Sequence, residues 1–185
     1  MYPTKIEANG HIYPINTDYR VALACFRAYK DNTITNFEKY IAIQTLLLGY
    51  DVDINDIDIL QEKIKIYLRC GKEENDSEDK ITYDYIQDET LTKTSIRQCY
   101  HINLNEIPYM HWYDYNELIS GLTDESIINK YREIRGKDAS EIKDEKQRSK
   151  LIELQNKIAI KETHIKTEEE KKLDDFWDNI TGGSW

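Results

Sequence analysis

Cysteine is scarce in this chain. The three present, Cys25, Cys70 and Cys99, are an odd number at wide spacing, with no CxxC pair. That argues against a disulfide framework and fits a reducing interior. Glycine is sparse as well: there are seven, none in a GxGxxG or GxxxxGK[ST] arrangement, so no phosphate-cradling loop is encoded. No HExxH motif occurs among the four histidines, His11, His101, His111 and His164. The longest strongly apolar run, near residues 41–50, is broken by Gln44 and falls well short of a bilayer span. The N-terminal MYPTKIEANG has no apolar secretion core. Basic charge is outnumbered, with 25 Lys and Arg against 35 Asp and Glu for a net charge of −10. Residues 51–90 carry 13 acidic against 5 basic side chains, which is −8 of that total. Such a surface repels nucleic-acid phosphates and anionic membranes, leaving a basic partner or none. The expectation is a soluble protein of a cytoplasm, with no nucleic-acid or membrane partner.

What is present is helical periodicity. Residues 5–8 and 11–15 flank Asn9-Gly10, a pair suited to the positive φ angles of a type I′ hairpin turn. Thr17 is placed to cap a helix over 20–30, with Val21, Leu23, Phe26 and Tyr29 on more than one face. A second helix spans 35–48 and stops at Gly49. A third spans 54–70, where Ile57, Leu60, Ile64, Tyr67 and Leu68 form one stripe that Gly71 ends. After the polar loop 72–80 come helices over 85–100, from about 105 with Pro108 in the first turn, and over 124–135. Residues 137–172 hold 10 basic and 9 acidic residues around a narrow seam of Leu151, Leu154, Ile158 and Ile165, which predicts a long exposed helix. The fold expected is mainly α: a helical bundle with a short N-terminal β-hairpin and a long charged C-terminal helix. The expected division is a helical domain over 1–136 and a charged extension with a tail over 137–185.

Candidate chemistry is thin. Cys99 and His101 lie two apart and His111 ten further on, too loose and too few for zinc. No nucleophile turn flanks Cys99. Asp84, Asp88 and Glu89 stand where carboxylates offset a helix dipole as readily as they do acid–base work. No catalytic, metal-ligating or cofactor-binding residue is assigned. Large rings are dense within 81–122, at Trp112, Tyr113 and Tyr115, beside Met110 and His111. They read either as core sealing the helices or as a docking surface for a partner's apolar residues. Leu173, Phe176, Trp177 and Ile180 recur at helical spacing on the charged tail and form a second partner-binding candidate, the alternative being a segment folded back on the body.

Several phrases in order along the chain carry a family resemblance: INTDYRVALACFRAY at 15–29, LLLGY at 46–50, YLRCGKEE at 67–74, YDYIQDETLTKTSIRQCYHINLNEI at 83–107, MHWYDYNELISGL at 110–122 and YREIRG at 131–136. With them the chain resembles, over about residues 2–165, a family of bacteriophage proteins named after a fifteenth gene product. These are encoded in the tail-morphogenesis cluster of long-tailed phages and prophages of Gram-positive bacteria. The resemblance implies a non-enzymatic tail assembly chaperone in the host bacterial cytoplasm. It would coat the tape-measure protein before the tail tube polymerises, with self-association of copies along that client. The alternatives are a structural tail-completion or connector protein, and a host-directed protein that binds a bacterial defence factor. The family has no catalytic residues to carry over. The stretch LLLGYDVDINDID is more acidic than a generic match needs, which implies a specialised partner.

Overall fold

A computed structural model of the chain describes residues 1–72 and 80–161. It is mainly helical, with one two-stranded antiparallel hairpin. The described residues fall into two compact units, one built from 1–72 and 109–116, the other from 80–108 and 117–161.

In the first unit, strands β1 (Lys5–Ala8) and β2 (His11–Pro14) pair in register Lys5 to Pro14 through Ala8 to His11. Asn9 and Gly10 between them have φ of 47° and 85°, as a type I′ turn requires. Helix α1 (Tyr19–Lys30) is capped by Asp18, whose side chain accepts from the Arg20 amide at 2.8 Å. Thr17, the cap expected from sequence, instead hydrogen-bonds the Tyr109 hydroxyl at 2.6 Å. Helix α2 (Asn36–Leu48) opens on a complete capping box between Thr35 and Glu38. It closes at Gly49, whose φ of 84° and ψ of −166° lie in backbone territory that is essentially glycine's alone. A 3-10 turn (Ile54–Asp56) leads into α3 (Ile57–Leu68). That helix ends in a Schellman motif: the Cys70 amide donates to Tyr67 O and the Gly71 amide to Ile66 O. The left-handed turn therefore begins at Cys70, at φ 56°, one position before Gly71, which follows it at φ 73°.

A buried carboxylate ties the hairpin to this helix. Asp56 accepts from the Tyr13 hydroxyl at 2.5 Å, from His11 Nδ1 at 2.7 Å and from Asn9 Nδ2 at 2.8 Å. Tyr13's oxygen in turn accepts from the Asp53 amide, and Asn9 also donates to Asn55 O. The remaining part of this unit, 109–116, is stitched to the start of α1 by backbone hydrogen bonds from Tyr19 to Met110 O and from Trp112 to Thr17 O.

In the second unit, a turn over 85–88 precedes α4 (Glu89–Tyr100), so the helix proper starts a turn later than the sequence suggests. Helix α5 (Trp112–Ser120) gives residues 112–116 to the first unit and the rest to the second. It begins seven residues beyond the expected start near 105, and Pro108 lies outside it. Helix α6 (Ile127–Gly136) is capped by Ser126, and the Ser95 hydroxyl accepts from the Ile128 amide at 3.2 Å. Helix α7 (Glu145–Ile158) occupies part of the long helix predicted over 137–172 and packs on α6. Gln155 on α7 donates to Ile134 O and Lys137 O. The core of this unit contains a buried ion pair: Arg135 meets both oxygens of Asp88, at 2.6 and 2.9 Å, and also donates to Thr82 O and Ile158 O. One guanidinium thus joins the segment before α4, the end of α6 and the end of α7.

Arg135→Ala leaves the Asp88 carboxylate buried without its partner, and should destabilise the second unit by about 3–5 kcal/mol in urea unfolding. The hairpin should respond to pH on both sides. The hydrogen bond from Tyr13, then those from His11 and Asn9, hold the Asp56 carboxyl below its ordinary 3.8. Its contribution is present above that value and lost as pH falls through the depressed one. The hydrogen bond to Asp56, and then its charge, raise His11 above its ordinary 6.5. That contribution is complete below 6.5 and lost as pH rises through the raised value. Amide exchange in β1 and β2, corrected for intrinsic rates, should be slowest between the two ordinary values, and Asp56→Asn should flatten both limbs.

Candidate partner-binding surface

The aromatic cluster is built around the start of α5. His111 precedes the helix, and its Nδ1 accepts from the Tyr113 amide at 3.0 Å while Nε2 faces Pro3 O at 3.3 Å. The imidazole acts as a helix cap, and this pairing puts its proton on Nε2. The cap aims Trp112 inward, where its indole donates to Leu68 O at 3.1 Å and its ring lies 5.8 Å from Phe26. Tyr115 stacks on Tyr19 at 4.6 Å. Trp112 and Tyr115 are each 0 % exposed. They are core side chains, and a partner would have to open the first unit to touch them. Tyr113 is half-buried, stacked against Tyr67 at 5.6 Å and tilted against Tyr2 at 5.4 Å. Leu173, Phe176, Trp177 and Ile180 lie outside the described residues.

The residues weighed for chemistry have structural occupations. Asp84 accepts from the Ile86 and Gln87 amides, Asp88 pairs with Arg135, and Glu89 pairs with Lys93 at 2.7 Å. Cys99 lies 3.8 Å from the Thr123 hydroxyl. Burial pushes the Cys25 thiol up to about 12, far from the thiolate that nucleophilic work needs. Among the described residues, no three His, Cys, Asp or Glu side chains converge in a way that could hold a metal ion.

What the first unit does present outward is aliphatic and acidic together. Tyr50 is 92 % exposed and Ile54 78 %, and Ile54 stands on the segment that Asp56 fixes, four residues after Tyr50. Ile59 and Ile66 are exposed on α3, and Phe37 and Ile41 are exposed on α2. Asp51, Asp53, Asp58 and Glu62 are exposed among them. Sequence reading finds the α3 core stripe and misses this second set. The available signal is the alternation in DVDINDIDI, where aliphatic residues outnumber the positions that one buried face can take.

The match to the family model described as Bacteriophage Gp15 protein extends over residues 2–160. The chain belongs to that family. The Gp15 family is one of phage structural and morphogenesis proteins, not known for enzymatic activity. No curated protein and no solved structure matches the chain. In this Gp15 protein, no helix among the described residues is long and apolar enough to cross a membrane.

Core and surface make opposite predictions for mutation of the Gp15 protein. Trp112→Ala should cost about 3–5 kcal/mol in urea unfolding, whereas Ile54→Ser should stay within about 0.5 kcal/mol.

Proposed function

We propose that this chain is a non-enzymatic tail assembly chaperone that binds and solubilises the tape-measure protein in the host bacterial cytoplasm during tail morphogenesis. The observation that carries the reading is the display of exposed aliphatic side chains on a carboxylate-rich unit, in a member of a phage morphogenesis family. A long helical client with apolar faces aggregates unless those faces are covered. A chaperone covers them reversibly, and its own charge keeps the coated complex in solution. Modest affinity per copy suffices when many copies line one client. In this reading Tyr113 contacts the client from its half-buried position, and Leu173, Phe176, Trp177 and Ile180 tether one copy to its neighbour or to the client.

Co-expression tests it. The tape-measure protein should be recovered soluble only when this chain is present, and mass spectrometry of purified particles should find the chain missing from mature tails. A client that stays insoluble contradicts the reading. Stoichiometric incorporation into the virion favours the structural tail-completion or connector role instead.

A further inference from the structure

We infer that residues 50–66 of the first unit form the docking face, and that its occupant is a cationic amphipathic helix of a partner polypeptide. The inference rests on the proposed function only in taking a partner polypeptide as the ligand. The face is one continuous segment. Tyr50 and Ile54 project from the stretch before α3, and Ile59 and Ile66 continue along the outer side of the helix. The two isoleucines are separated by two turns, a rise of about 10 Å, which matches two turns of a helix laid alongside.

Rigidity distinguishes this segment from an ordinary exposed loop. The Asp56 carboxylate, the Asp53 amide and the Asn55 carbonyl are all bound to the hairpin residues Tyr13, His11 and Asn9. Asp53 closes the loop from within by accepting from the Asn55 amide and side chain, both at 2.8 Å. Apolar side chains held to a fixed backbone bind with less ordering cost than the same side chains on a mobile one.

Charge selects the occupant. Exposed along the face are Asp51, Asp53, Asp58 and Glu62, of which Glu62 is paired with the buried Lys65 at 3.0 Å, against a single exposed lysine, Lys63, whose ammonium is turned to the Glu7 carbonyl, so three aspartates carry the unpaired negative charge. The chain's own residues 162–185 hold seven acidic and three basic side chains, a net −4, so like charge disfavours them as occupant. A second copy, at −10 overall, is disfavoured in the same way. Nucleic acids and anionic membranes are repelled. A helix with lysine or arginine beside its apolar stripe satisfies both the isoleucines and the carboxylates.

The test is titration of the full chain with a synthetic amphipathic peptide of lysine and leucine, ~18 residues or five turns long. A glutamate and leucine peptide of the same spacing serves as control. The lysine peptide should bind with an affinity that falls as salt rises, and the glutamate peptide should not bind. The double variant Ile59→Ser with Ile66→Ser should lose about tenfold in affinity or more. The double variant Ile152→Ser with Leu154→Ser, at exposed aliphatics of α7, should bind as the parent does. Far-ultraviolet circular dichroism checks that both variants remain folded. Equal binding by the two peptides, or by parent and the Ile59 and Ile66 variant, overturns the proposal. The same variant in tape-measure co-expression separates the two readings. Rescue by parent and variant alike sinks the docking face and leaves the chaperone standing. Peptide binding that depends on the face, with no rescue by the parent, does the reverse.

Discussion

Burying a carboxylate is unfavourable unless its oxygens are satisfied, and at Asp56 three donors from the hairpin satisfy them. The hairpin depends on the same arrangement, because two strands alone are marginal in water and these gain their hold from α3 and the turn before it. The dependence is mutual: Tyr13 binds both the Asp56 carboxylate and the Asp53 amide, so strand, turn and helix start are fixed as one body. The consequence reaches the surface. A segment rich in aspartate would ordinarily be a mobile linker, and here residues 53–56 become a fixed mount for the exposed Ile54 and for the start of α3. The second unit uses the same device with a different partner, since the four hydrogen bonds of Arg135 gather three separate segments around one buried charge.

The parts of this fold legible in the sequence are those fixed by neighbours along the chain. Asn9-Gly10 announces its turn because both residues must take positive φ. The start of α2 is placed within one residue, because its capping box between Thr35 and Glu38 is local to the helix end. The α3 stripe reads correctly because its buried side follows helical periodicity. The failures occur where distant residues decide. Helix α5 starts at Trp112 rather than near 105 because residues 110–112 pair with the backbone of 17–19 before the helix begins. Asp18 rather than Thr17 caps α1, since Thr17 is engaged by Tyr109 across ninety-two positions of sequence. The inward turn of Asp56, among three near neighbours of the same type (Asp51, Asp53 and Asp58), has no local signature at all.

The same distinction separates the two candidate surfaces. Rings clustered in sequence read either as core or as a docking site at Trp112, Tyr113 and Tyr115, and two of the three are sealed in the core. The better docking features are weaker as sequence: scattered isoleucines within an acidic run. Their meaning comes from burial on the opposite side of α3, which leaves Ile59 and Ile66 nothing of their own core to cover. For a family of phage morphogenesis proteins, a fixed face that is both greasy and negative suits temporary association with a basic helical chain. In the proposed reading, salt-dependent attraction would bring the partners together, and the small apolar area would let them part.

If the Asp56-fixed segment meets the proposed client, hydrogen–deuterium exchange of this chain, free and in soluble complex with the tape-measure protein, will register it there. New protection should concentrate in residues 50–66 and leave α6 and α7 unchanged. Protection that appears in α6 and α7 while residues 50–66 exchange as in the free chain would contradict it.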